Sequence, residues 1–396
     1  MSRISPPAVV LGMSPTGLAV IRSLGRKGIS VIGIDRDPWA IGRFSKYGRF
    51  LKVSSHGDWE EMLFQTLLSV ASDYQEKPVL FCTEDAYLVF LANYAHKLKE
   101  DYRMPSSLNT DTINLFLDKE NFYKMCFEQG VELPATYFPK DLGQIEDLAG
   151  RLRYPCIIKP SLGHLWRRKL RGKKMVEVNT AQDLITLYKQ LSSWDSRLII
   201  QEVIPGGDDC IYIFGGSFDR NSEPLAVFTG RKLRQFPPRY GSASLAESTW
   251  EPEVADMSIT LLKRLKFHGI CGTEFKKDPR DGNFKMMEIN LRPTLWFSII
   301  EASGVDVIYA IYQELIGSVA PKDQVQINGI VWIYSARDVI SSIFYLLHRG
   351  LTLCNWFRSL RNAKAHAIFA RDDLRVTAFI PVYLVKEFWQ YLITGG

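Results

Sequence analysis

Two acidic residues and an amide stand at a spacing that can hold a divalent cation. The segment runs Gly272-Thr273-Glu274-Phe275, then Pro279-Arg280-Asp281-Gly282, then Met287-Glu288-Ile289-Asn290-Leu291-Arg292. Arg280-Asp281-Gly282 reads as a three-residue hairpin loop with glycine in the left-handed position. Pro279 then opposes Asn283, and counting back places Glu274 opposite Glu288. Side chains alternate along a strand, so Asn290 shares the face of Glu288. Facing carboxylates repel unless a cation sits between them. Carboxylate and amide oxygens suit Mg²⁺, with Mn²⁺ as the alternative. Arg292, just past the ribbon, could stabilise a transferring phosphoryl group or an oxyanion. The competing reading is a surface hairpin with exposed polar groups. Against it, Glu288 lies between Met287 and Ile289 in a mostly apolar strand.

The elements around this hairpin read as α/β followed by α+β. Val9–Leu11, a turn from Gly12 to Gly17, a helical segment to Arg26 and a second strand ending at Asp35 make a β-turn-α-β unit, as a doubly wound sheet opens. Pro78–Cys82 is a further strand, followed by the acidic turn Thr83-Glu84-Asp85. Thr180 can cap a helix from Ala181 to about Ser192. Arg197–Val203 is a strand broken by Pro205-Gly206-Gly207. Strands follow at Cys210–Phe214, Leu225–Arg231, Gly272–Lys277 and Phe284–Asn290. Helices intervene near Val254–Lys266 and Val305–Ile316. The boundaries expected are 1–105, 106–205, 206–326 and 327–396.

The hairpin resembles the metal-binding segment of the ATP-grasp superfamily, of the carboxylate–amine ligase type. Glu274, Glu288 and Asn290 fall where that family places its metal ligands, and Leu291 replaces its common proline. The resemblance spans roughly residues 110–300. It implies a Rossmann-like first domain, a two-lobed ATP-grasp fold and a small C-terminal extension. It implies ATP and Mg²⁺, with Lys119 (in Asp118-Lys119) and Lys159 (in Ile157-Ile158-Lys159-Pro160) on nucleotide phosphate. Gln201, Glu202, Val203 and Ile204 match the hinge that pairs with adenine. Asp209, with Asp208 as alternate, has the spacing for the ribose hydroxyls. Arg231-Lys232-Leu233-Arg234-Gln235 resembles a segment of the same ligases. Strand alternation puts Lys232 and Arg234 on one face, Lys232 for phosphate and Arg234 for a substrate carboxylate. The activity implied is ADP-forming amide synthesis through an acyl phosphate. It would attach an amino acid or amine to a cell-envelope precursor, polysaccharide or peptide.

Composition sets limits. The chain has 396 residues, 46% hydrophobic and 23% charged, which excludes general disorder. A net charge of +6 is too dilute over this length to argue for nucleic acid. Six scattered cysteines with no CxxC pair exclude zinc spacing and read as buried thiols in a reducing compartment. There is no leader pattern and no apolar run near ~18 residues. A cytoplasmic protein is expected, or one peripheral to the inner face of the membrane. The basic segment from Ser161 to Lys174 could cover a triphosphate or meet an anionic polymer or lipid-linked acceptor; a solvated loop is the equal alternative. The aromatic and basic tail from Val339 reads as a packed subdomain or homodimer contact, with an amphipathic membrane surface as the other reading. Gly12 and Gly17 imitate a nicotinamide-binding turn without its middle glycine. An oxidoreductase and a non-catalytic nucleotide-binding scaffold are therefore the rival functions.

Overall fold

The computed structural model describes residues 5–54, 57–162, 174–194, 197–321, 324–348 and 350–394. The basic loop expected to cover a triphosphate lies mostly outside the described residues. The chain divides into two compact units. The first gathers Met1–Ile113, Asp208–Glu274 and Ile289–Leu384; the second gathers Asn114–Gly207, Phe275–Glu288 and Val385–Gly396. One apolar core draws distant parts of the chain into the first unit. Val10 and Leu18 near the N-terminus share it with Ile213, Trp296, Trp332 and Val376.

The first unit opens with β1 (Ala8–Leu11), α1 (Pro15–Gly25), β2 (Val31–Asp35), β3 (Arg49–Lys52), α2 (Trp59–Ser72), β4 (Val79–Cys82) and α3 (Asp85–Leu98). The strands run parallel in the order β3-β2-β1-β4. β1, β2 and β4 are buried at every position, as a sheet covered on both faces requires. Gly12 has φ +90°, and a Cβ on Gly17 would stand 2.0 Å from the Gly12 carbonyl oxygen. The turn needs both glycines simply to close onto α1. Their spacing thus carries no separate argument for a dinucleotide.

α4 (Thr110–Leu117) leads into the second unit. There follow α5 (Lys119–Glu128), β5 (Thr136–Tyr137), α6 (Leu142–Ala149), β6 (Cys156–Pro160), β7 (Val176–Val178), α7 (Ala181–Ser192) and β8 (Leu198–Glu202). The strands form an antiparallel sheet in the order β5-β8-β6-β7. Ile158 and Ile200 on one face pack against Ile145 of α6 and Leu184 and Tyr188 of α7. Thr180 caps α7, accepting from the Asp183 amide at 3.1 Å, as its sequence implies.

The chain then returns through β9 (Ile211–Phe218), β10 (Pro224–Phe236), β11 (Ser242–Ser248), α8 (Pro252–Arg264), β12 (Gly269–Lys277), β13 (Phe284–Asn290), α9 (Ser298–Ala302), α10 (Val307–Leu315) and β14 (Val331–Ile333). It ends with α11 (Ser335–Leu347), α12 (Leu353–Leu360), β15 (Ala363–His366) and α13 (Leu374–Thr394). The described strands here lie in the order β13-β12-β9-β10-β11-β14-β15. The tail is built into the first unit. Buried Asp373 accepts from Arg22 Nε at 3.0 Å, Ser45 Oγ at 2.7 Å and the Lys46 amide at 3.0 Å. Among the described residues no helix is long and apolar enough to cross a membrane.

Candidate functional site

In the second unit, Lys159 sits on β6 with only 5% of its surface exposed. Its Nζ donates to Tyr123 Oη and to Gln201 Oε1, both at 2.7 Å. Gln201 is held in turn by donating from Nε2 to Thr136 Oγ1 at 2.8 Å. Both hydrogen-bond partners of the lysine are uncharged. Burial brings its ammonium down to about 7, against the opposing field of Glu288. An amine so placed gains from an anion more than a solvated lysine would.

Lys119 is the first residue of α5. Asp118 caps that helix, accepting from the Glu120 and Asn121 amides at 3.0 and 3.3 Å. It also accepts from Arg197 Nη1 at 2.7 Å and from Ser161 Oγ. Burial opposes ionisation of Asp118, but these bonds hold it below the ordinary carboxylate range. The Lys119 amide donates to the Ser161 carbonyl at 3.0 Å. Ser161, two residues past Lys159, therefore ties the two expected phosphate lysines to one framework.

Gln201, Glu202, Val203 and Ile204 occupy the end of β8 and the residues after it. The Glu202 and Val203 amides donate to the Ala135 and Pro155 carbonyls at 2.9 and 3.1 Å. The Glu202 carboxylate accepts from Arg280 at 3.2 Å. Amide donation to a base from this segment would then come from Ile204. In the first unit, Asp208 accepts from the Gln235 amide at 3.1 Å, from Gln235 Nε2 at 2.8 Å and from Tyr345 Oη. Asp209 is exposed.

The hairpin between β12 and β13 differs from the expected one by a residue. Its loop is the four residues from Pro279 to Gly282. The Asp278 amide donates to the Asn283 carbonyl and the Gly282 amide to the Asp278 carbonyl, each at 2.8 Å. The Asp278 carboxylate joins the turn, accepting from the Arg280 amide at 3.0 Å and from its guanidinium. Asp278, not Pro279, therefore opposes Asn283. Burial along β13 then changes phase. Phe284 and Met286 are buried, and the next buried residue is Ile289. Glu288 is exposed and Asn290 half-buried, on either side of buried Ile289. Tyr123 Oη donates to the Met287 carbonyl at 3.0 Å, so α5 holds this strand.

In the first unit, Lys232 is 1% exposed and donates to Glu274 Oε2 at 2.6 Å and to Gln235 Oε1 at 3.2 Å. Arg292 donates from Nε to Asp85 Oδ1 at 2.7 Å. It thus meets the acidic turn that follows β4. Beside it, burial raises the Glu84 carboxyl, and the charge of Asp35 adds to the rise.

Arg234 lies further along the same strand as Lys232. Its Nε and Nη2 both donate to Asp338 at 2.8 Å, and Nη1 donates to Ser359 Oγ at 3.0 Å. The guanidinium thus ties β10 to α11 and α12. The register of β10 sets its direction. Lys232 pairs with Ala246, Arg234 with Leu245 and Gln235 with Ala243, so the strand slips at Leu233. Strict alternation fails there, and Lys232 and Arg234 diverge. Asp338→Ala should cost about 3–5 kcal/mol by leaving a buried charge unpaired, with substrate KM unchanged in the folded protein. Thermal unfolding and steady-state kinetics check this; a KM rise without destabilisation would return Arg234 to the substrate.

Tyr123 escaped the sequence reading, although it lies four residues after Lys119 on one helix face. Among the described residues no group of three or more His, Cys, Asp or Glu could by itself hold a metal. Glu274, Glu288 and Asn290 offer two carboxylates and an amide. That suits Mg²⁺, which keeps waters and takes phosphate oxygens.

No family model matches the chain. It is similar to a D-aspartate ligase of Enterococcus faecium (strain Aus0004), 24% identical over 271 residues, covering 65% of this chain and 63% of that protein. It is also similar to the carbamoyl phosphate synthase large chain of Thermoanaerobacter sp. (strain X514), 23% identical over half of this chain but only 18% of that protein. The chain thus spans less than two thirds of the length of either. Among solved structures, a biotin carboxylase–βγ-ATP complex from Campylobacter jejuni superposes with a TM-score of 0.64 at 16% identity, covering 84% of this chain and 75% of that one. In fold and in sequence the chain is thus similar to proteins of the ATP-grasp superfamily.

Proposed function

We propose that the protein is an ADP-forming carbon–nitrogen ligase that activates a carboxylate as an acyl phosphate for attack by an amine. The observation that carries the reading is Lys159, buried on β6 with uncharged hydrogen-bond partners and set in the field of Glu288. Lys119 and Lys159 bind nucleotide phosphate, with Lys232 adding a third positive charge. Ile204 meets the base and Asp209 the ribose. Glu274, Glu288 and Asn290 would hold Mg²⁺, whose charge neutralises the β- and γ-phosphates when bound. Lys232 fixes the Glu274 carboxylate at 2.6 Å. Arg292 leaves Asp85 to stabilise charge on the transferring phosphoryl group. A substrate carboxylate oxygen attacks the γ-phosphorus and ADP leaves. The amine then attacks the acyl carbon, loses a proton, and phosphate departs with that oxygen. Glu84 and Asp85 suit the ammonium form of the incoming amine.

The likeness to a D-aspartate ligase supports an amino acid as the activated acid. A cell-envelope precursor, polysaccharide or peptide then supplies the amine. The test incubates the protein with ATP, Mg²⁺, hydroxylamine and a panel of carboxylates. Carboxylate-dependent ADP and hydroxamate are expected. AMP in place of ADP would overturn the mechanism, and ATP binding without turnover across the panel would favour a scaffold.

A further inference from the structure

α11 is built inside out. Asp338, Ser341 and Ser342 are its buried residues, while Val339, Ile343 and Leu347, at four-residue intervals, are exposed. Leu347 is 76% exposed. The neighbouring helix continues the pattern. No residue of α12 is fully buried, and Leu353 and Phe357 are exposed, Phe357 to 63%. Single exposed apolar residues are ordinary, but a run of them over two consecutive helices marks an interaction surface. The surface is also held in place. Arg234 on β10 grips Asp338 of α11 and Ser359 of α12. Leu360 packs against the cluster of Leu245, Val331 and Ile333 beneath.

Charge identifies the occupant. From Ser335 to His366 the sequence has one acid, Asp338, against five Arg and Lys (Arg337, Arg349, Arg358, Arg361 and Lys364). Asp338 is consumed by Arg234. Arg358, Arg361 and Lys364 are exposed. Exposed apolar side chains and exposed cations on the same two helices and the strand after them match an anionic bilayer, where apolar side chains enter the acyl boundary and cations meet headgroups. A symmetric contact with a second copy would instead set these cations against one another. We propose that the outer faces of α11 and α12 dock the protein on the surface of a membrane containing anionic lipid. This goes beyond the ligase reading and does not rest on it.

The test is co-sedimentation of the full chain with vesicles of phosphatidylcholine alone, or of equimolar phosphatidylcholine and phosphatidylglycerol. Binding at least ~10-fold stronger to the anionic vesicles, weakening as salt rises, is expected. Leu353→Ser with Phe357→Ser, and separately Arg358→Glu with Arg361→Glu and Lys364→Glu, should each abolish it. All five side chains are exposed, and an unchanged thermal melt will establish that the variants fold. Absence of binding to both vesicles would overturn the proposal, as would equal, salt-insensitive binding to neutral ones. So would light scattering that shows a dimer lost with Phe357→Ser and no vesicle binding, since the face would then belong to a second copy.

Discussion

Glu288→Gln should lower kcat by about 10³-fold or more, roughly 4 kcal/mol of transition-state stabilisation, with a thermal melt close to that of the parent. The substitution keeps shape and removes one negative charge. Glu288 is exposed on β13, so the fold does not depend on it. The proposed metal site does, because an amide cannot replace a carboxylate in neutralising Mg²⁺. The variant should also need more Mg²⁺ for half-maximal activity. Kinetics across a Mg²⁺ titration, with circular dichroism as the control, measure both. A folded variant with normal turnover would refute the metal assignment.

Lys159→Met should remove most nucleotide affinity, and it should do so while making the unliganded protein more stable at neutral pH. The sign follows from the lysine's position. Unfolded, the amine titrates near its ordinary value of 10.5; folded, burial brings it to about 7. Between those values the unfolded chain binds a proton that the folded chain does not. The stability linked to neutral Lys159 is therefore complete above about 10.5 and is lost as pH falls toward about 7. Thermal unfolding of the parent without nucleotide or metal should show this rise with pH, and Lys159→Met should lack it. Binding a triphosphate reverses the effect, since its charge favours the ammonium. Calorimetry at pH near 8 in buffers of different ionisation enthalpy should show proton uptake with the parent. Titrations that are identical in all buffers would exclude Lys159 from the phosphate site.

The parts of the fold legible in the sequence are those where local pattern and tertiary environment agree. β13 starts at Phe284 and ends at Asn290 as its composition implies, and α7 begins at its Thr180 cap. The hairpin loop was misjudged because Asp278 turns its carboxylate back onto Arg280 and joins the turn. Only side-chain geometry shows that. The direction of Arg234 was illegible because the slip at Leu233 breaks strand alternation, and nothing in Arg231–Gln235 marks such a slip. The tail was illegible for a different reason. A helix is ordinarily found by its apolar stripe facing the core. α11 buries an aspartate and two serines and shows its apolar residues to solvent, so its pattern points the wrong way. Of the expected site residues, Lys159 is named by the resemblance of Ile157–Pro160, but its environment is not. Tyr123 and the side chain of Gln201 come to it from α5 and β8, far away in sequence.

The central claim is that a substrate oxygen passes to phosphorus before the amide forms. The direct measurement supplies the accepted carboxylate labelled with ¹⁸O in both oxygens, and analyses phosphate and amide by mass spectrometry. One labelled oxygen is expected in inorganic phosphate and the other in the amide carbonyl. Label in AMP, or phosphate free of label alongside amide product, would contradict it.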